Sequence, residues 1–198
     1  EQWRSAVACL VVLAVAVLSC LPPFWRATRI LPLWLGGFAL FYLFMSGGLF
    51  GLVPIFPQQW GGLALTVFIF SSVVVLGMPL AVMLALLRRS NLPWIARTTG
   101  LVIDTIRGLP LLVIMFACAV VLPFVVPDWA QGDKLSRVIL GFAFFFACYQ
   151  AEILRGGMQA IPPGQEQAAK ALGLHYRSRI TRIVLPQAFR NALPATIN

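Results

Sequence analysis

The sequence predicts an all-α, polytopic membrane helix bundle, and three observations carry that expectation. Of 198 residues, 60% are hydrophobic and only 11% are charged, whereas soluble domains run near 45–50% apolar and about 25% charged. The apolar residues collect in five long runs, at about 5–21, 33–53, 63–87, 109–127 and 138–154; a membrane span needs about 20 such residues, within a range of about 17–25. The basic residues lie between the runs, where orientation signals belong. Mean hydropathy is +0.89. A water-soluble core of this size could not hide so much apolar surface, which leaves lipid as its solvent.

The first run, 5–21, has a weak signal-peptide look but lacks a basic leading region and a small-residue cleavage site before Pro22-Pro23. The second, 33–53, passes into "MSGGLFGLVPIFPQQWGG", an apolar linker rich in Gly and Pro. This linker is the expected boundary between an N-terminal extension of two spans, 1–59, and a core, 60–198. The third run, "LALTVFIFSSVVVLGMPLAVMLALL", is the clearest span. Pro79 is expected to kink it, which membrane helices tolerate when neighbours satisfy the freed carbonyl. The fourth and fifth runs flank "PDWAQGDKLSR", which holds Asp128, Asp133 and an interfacial aromatic, Trp129. The chain begins at Glu1 rather than Met and stops at Asn198, as a new apolar helix begins after Pro186. Both ends are expected to be cuts.

Charge sets the expected orientation. With the connection after the third run facing the cytoplasm, twelve Lys and Arg fall inside: 26, 29, 88, 89, 97, 107, 155, 170, 177, 179, 182 and 190. Three, Arg4, Lys134 and Arg137, fall outside. The inverse topology would reverse that ratio against the positive-inside rule. Residues about 22–32, 88–108 and 155–186 are therefore expected in the cytoplasm. The net charge of +9, distributed this way, speaks for orientation and against nucleic-acid binding. Cys9, Cys20, Cys118 and Cys148 all lie in or beside apolar runs without a CxxC pair. They suggest small apolar filler rather than a disulfide framework or a metal site.

The wettest stretch is "GQEQAAKALGLHYRSRITRIVLPQA", 164–188. Residues 164–173 read as a short helix. Gln165 and Glu166 sit near its N-terminus, where a negative side chain suits the helix dipole. Ala168, Ala169 and Leu172 make a small apolar face, and Gly173 closes the C-terminus. Downstream, Tyr176, Ile180, Ile183 and Val184 recur at helical spacing, with Arg179 and Arg182 on the other side, until Pro186 ends or kinks the second helix. The Ala-bearing face suits a groove on another protein; the plainer reading is a helix resting on the membrane surface. Small alanines favour the groove.

Each polar residue elsewhere has two readings. Glu152 and Arg155 could shape a cytoplasmic gate or contact a partner, or simply form an i,i+3 pair at the lipid boundary. Asp104 and Arg107 repeat that spacing. Gly156 and Gly157 would permit a turn after the fifth run. Gln150 and Tyr149 could face a pathway, though Tyr149 could equally be a buried polar handle, and the phenylalanines of 144–146 read as packing or lipid contact. His175, without nearby Cys or acids, reads as a turn residue. There is no GxxxxGK[ST] phosphate loop, so ATP hydrolysis by the chain itself is not expected, nor is any nucleophile motif present.

The spacing Gln167-Ala168-Ala169, Gly173, Ile183, Leu185-Pro186 matches EAA, three residues, Gly, nine residues, Ile, one residue, Leu-Pro. The chain thereby resembles permease subunits of binding-protein-dependent ABC importers. "AEILRGGMQAIPPGQ" and "IRGLPLLVIMF" (106–116) are similar to the matching segments of polar amino acid permeases, and the two extra N-terminal spans resemble the general L-amino acid subgroup. The resemblance covers about residues 60–198. One position departs: Gln167 stands where the signature has glutamate, and Glu166 lies about 100° around the helix, so it does not simply replace that glutamate on the same face.

The resemblance implies an ABC type I importer permease fold in a bacterial inner membrane. It further implies a second permease subunit, alike or related, two cytoplasmic ATPase subunits and a periplasmic amino-acid-binding protein. Residues Gly164, Gln165, Glu166, Gln167, Ala168, Ala169, Leu172 and Gly173 would form the coupling helix, with Glu152, Arg155 and Arg107 as gate or cytoplasmic-end contacts. No cofactor is expected on this chain; ATP and Mg would sit on the ATPase subunits. Two rivals are a non-transporting scaffold, which leaves the motif spacing unexplained, and an ATPase-independent transporter. The latter would ordinarily carry ionisable residues in mid-membrane, and the five runs hold none away from their ends.

Overall fold

The computed structural model describes residues 2–21, 23, 27–47, 53–56 and 59–198, and among these the chain is predominantly helical, without strands. It divides into two compact units, residues 1–72 and 73–198, whose boundary falls inside one long helix. Residues 22 and 24–26 of the expected 22–32 connection, and 48–52 and 57–58 of the linker, lie outside the described residues.

The first unit holds α1 (Gln2–Ser19), α2 (Ala27–Ser46) and the first part of α3 (Gly62–Arg88). The helices α1 and α2 pack on each other. An aromatic cluster closes this unit: Phe38 and Phe41 stack on Phe68 with ring centres 5.6 and 6.1 Å away, and Trp60 meets Phe68 edge-on at 5.0 Å. Hydroxyls on apolar helices are satisfied locally. Ser19, Ser46 and Ser72 each donate to the carbonyl four residues back, at 2.7, 2.8 and 2.7 Å, which removes a polar group from a medium that offers it no water. Arg4 is buried, and its Nη1 donates to the Val53 carbonyl at 3.0 Å.

The second unit begins with the remainder of α3 and continues into α4 (Pro93–Gly108), which the sequence reading left as a connection. Pro93 opens α4 at a position where a missing N–H costs nothing. After Leu109-Pro110, α5 (Leu111–Phe116) passes through a π-helical turn, Ala117–Val121, into α6 (Leu122–Val125). Pro123 explains the widened turn, because it has no N–H for the carbonyl of Ala119 and its ring crowds that carbonyl. Arg137 Nη2 reaches the Ala119 oxygen at 3.5 Å. Then follow α7 (Lys134–Gln159), α8 (Pro163–Ala171) and α9 (Tyr176–Arg179), and a second π turn, Ile180–Val184, leads into α10 (Leu185–Ile197).

Asp133 caps α7. Its carboxylate accepts from the backbone N–H groups of Leu135 and Ser136 at 3.1 and 3.4 Å. Hydrogen bonding, from the Ser136 side chain first and then from these N–H groups, holds its pKa below the ordinary aspartate value.

The structure bears on three expectations. First, among the described residues two helices, Gly62–Arg88 and Lys134–Gln159, are by length and composition long and apolar enough to cross a membrane by themselves, and Pro93–Gly108 with Leu111–Val125, bent by 101°, passes as a third when the two are taken together. Second, of the two outcomes expected at Pro186, an end or a kink, the end does not occur: the π turn Ile180–Val184 passes directly into α10, and Pro186 occupies its first turn. Third, α7 runs straight through Gly156-Gly157 to Gln159. Gly157 instead lets α10 approach: a Cβ there would lie 2.4 Å from the Ala188 oxygen.

The core of this unit joins α3, α4, α7, the second π turn and α10, through Ala81, Ala85, Ala147, Ala151, Ala188 and Ala192 with Ile103, Leu154, Ile180 and Val184. The alanines come in i,i+4 pairs on three helices. Small residues let helices pack closely where lipid removes the hydrophobic drive for association. Two polar bonds lock α7 to α10: Gln150 Nε2 donates to Thr196 Oγ1 at 2.8 Å, and Asn191 Nδ2 to the Gly157 carbonyl at 3.2 Å.

Candidate functional site

The helix α8 hangs beyond the end of α7 and is closed by a Schellman turn. The Leu174 N–H bonds the Ala169 carbonyl at 3.1 Å and the Gly173 N–H bonds that of Lys170 at 3.0 Å. Gly173 adopts φ +75°, the left-handed conformation that this closure needs and that side chains resist. The sequence reading of a glycine stop is thus realised in detail.

The expected apolar face is split. Ala168 is exposed and Leu172 is 80% exposed, but Ala169 is 3% exposed and turned into the body of the chain. Ala169 therefore seats α8, while Ala168 and Leu172 form the outward knob. Gln167 and Gly164 are exposed. Gln165 Oε1 accepts from Gln187 Nε2 of α10 at 2.6 Å. Glu166 is not a free surface charge: it pairs with Arg89, just past the end of α3.

A second ionic cluster lies at the same end of the unit. Arg88 grips Asp104 of α4 with both terminal nitrogens, each at 2.9 Å, and its Nη1 also lies 3.1 Å from Glu152 Oε2 of α7. Glu152 accepts from Arg155 at 2.5–3.0 Å. The i,i+3 pair expected at Glu152 and Arg155 forms, but as part of this larger network. Asp104 and Arg107 do not pair in the same way. Asp104 turns to Arg88, and Arg107 lies over the Tyr149 ring, 5.3 Å from its centre, while the Tyr149 hydroxyl donates to the Arg107 carbonyl at 3.1 Å. Gln150 is buried and bonded to Thr196, whereas Tyr149 keeps 37% of its surface exposed beside Arg107.

Between α8 and the end of α3 lies a cleft of about 1230 Å³ lined by Arg88, Arg89, Arg155, Glu166, Lys170 and Arg179, among others. Sequence reasoning missed Arg88 and Arg89 as partners. Their acids lie 16, 64 and 77 residues away, so no local spacing reveals them. The available signal was scarcity: of six acids in the chain, three sit in segments expected beside arginine-rich connections.

Close-packed apolar helices and a polar end tied by arginines define a class: an integral membrane protein. The chain belongs to the family of binding-protein-dependent transport system inner membrane components, whose model matches residues 77–198. It is 34% identical over 203 residues to the inner membrane amino-acid ABC transporter permease protein YhdY of Escherichia coli (strain K12), across 100% of this chain and 54% of that protein. It is also 34% identical over 141 residues to the glutamate/glutamine/aspartate/asparagine transport system permease protein BztC of Rhodobacter capsulatus, across 71% of this chain and 32% of that protein. A solved structure described as an amino acid ABC transporter with histidines superposes with a TM-score of 0.57 at 30% identity, covering 68% of this chain and 62% of that one. The chain spans about half or less of the length of these first two relatives. The family fixes the fold as that of ABC permeases and the location as a membrane.

Proposed function

We propose that the chain is permease sequence from an ATP-driven amino-acid importer, forming part of one half of the translocation path and receiving the motion of an ATPase through α8. The observation that carries this reading is the capped helix whose Ala168 and Leu172 stand free while Ala169 fixes its seat. A rigid, shallow knob of this kind fits a groove on a partner. The names of the relatives support amino acids as the substrate class.

In the proposed assembly a second permease subunit, alike or related, completes the path. Two cytoplasmic ATPase subunits hold ATP and Mg and grip one α8 each, and a periplasmic binding protein delivers the amino acid. Closure of the ATPase pair moves both knobs as rigid bodies and tips the path outward; hydrolysis returns it. Assignment to the general L-amino acid subgroup belongs to this reading, as do a two-span extension over 1–59 and a cytoplasmic location for residues 22–32, 88–108 and 155–186. The twelve-to-three charge asymmetry favours that orientation.

The test is reconstitution of the assembled permease with its ATPase and binding protein in liposomes. Amino-acid uptake that requires ATP is expected. Uptake at the same rate without ATP, or no association with an ATPase, would overturn the proposal.

A further inference from the structure

Within the second unit, α8 packs against α9 and the second π turn. Its link to the long helix α3 is of another kind: Arg89 and Glu166 face each other across the cleft and join as an ion pair. Arg88, the adjacent residue, points elsewhere, to Asp104 on α4 and Glu152 on α7. Two consecutive arginines at one helix end thus tie four helices together, one reaching the projecting helix and the other reaching the bundle.

We infer that Arg89 and Glu166 are the positioning pair through which displacement of α8 is handed to α3, with Arg88 distributing it to α4 and α7. The inference rests on the proposed function. Its physical basis is the geometry at the cleft: packing links α8 to α3 only indirectly, through the second π turn and its Ile180 and Val184, whereas the ion pair joins α8 to the end of α3 directly. Glu166 also sits in the first turn of α8, where its charge suits the helix dipole, so its carboxylate is held in place on the helix side. Both partners are partly exposed, with side chains 38% and 30% accessible. Exposed pairs add little to stability, so variants of this pair are expected to fold and to leave coupling readable. Gln167, in the signature's glutamate position, is uncharged, and the acid one residue earlier faces inward to the chain's own arginine.

The experiment uses the assembled transporter in liposomes with its ATPase and binding protein, and reads amino-acid uptake per ATP hydrolysed. R89E and E166R are each expected to lower that ratio about fivefold or more, the scale of a typical coupling between sites, and R89E/E166R to recover most of it. The isosteric E166Q, which leaves the helix backbone and side-chain volume intact, is expected to fall in the same direction with an unchanged melting temperature. Wild-type coupling in E166Q, or a double variant no better than the worse single one, would overturn the inference. Absence of ATP-driven uptake in the unmutated complex would instead defeat the proposed function, and a normal unmutated complex with unaffected variants would defeat this inference alone.

Discussion

At the scale of single residues, the second unit depends on what small side chains leave open. Gly157 is the sharpest case. Its missing Cβ makes room for the backbone of α10 at Ala188, and Asn191 bonds its carbonyl from the same helix. Gly157→Ala would place a methyl 2.4 Å from a backbone oxygen, and neither helix can yield without moving. The expected cost is about 1–3 kcal/mol, as for other overpacked cores. Thermal unfolding of the purified protein in detergent checks this; an unchanged melting temperature would show that the helices separate freely. The sequence pointed to the wrong role here because a Gly-Gly pair after an apolar run reads locally as a turn, whereas the constraint comes from a helix some 30 residues on. Gly173 was legible for the opposite reason: its constraint is the helix it ends.

At the scale of elements, caps were readable and long-range partners were not. The short helix α8 was visible in the sequence from the acid near its start and its Gly stop. The helix α4 was not, since its apolar residues are interleaved with Arg97, Asp104 and Arg107, which reads as a wet connection. Whether the helix ends or continues at Pro186 was not decided in the sequence, because no composition signals the π turn that precedes it. The Asp133 cap yields a prediction at this scale. Asp133→Ala removes the acceptor for two N–H groups and is expected to destabilise α7 by about 1 kcal/mol. The pKa of Asp133 is lowered in the fold, so its contribution is complete above the ordinary aspartate range. It is lost as pH falls through the depressed folded value, below about pH 4. Unfolding measured against pH should show the wild type and the variant converging in that acidic window. A gap that stays constant through it would contradict the assignment.

At the scale of the whole molecule, the class of protein was legible from bulk quantities, because lipid is the one solvent that suits so apolar a chain. The 101° bend between α4 and α5 was not, because apolar composition says nothing about where a helix turns. The split of Ala168 from Ala169 was equally hidden: both are alanines, and only the body packed beneath α8 decides which one it covers. The proposed work of the molecule turns on α8 standing on the cytoplasmic side with Leu172 outermost. The most direct measurement is labelling of Leu172→Cys, in a background with Cys9, Cys20, Cys118 and Cys148 replaced by serine or alanine, with a membrane-impermeant thiol reagent. Reaction in inverted membrane vesicles, blocked when the ATPase is bound, and none in right-side-out vesicles is the expected result; reaction from the outer face would contradict it.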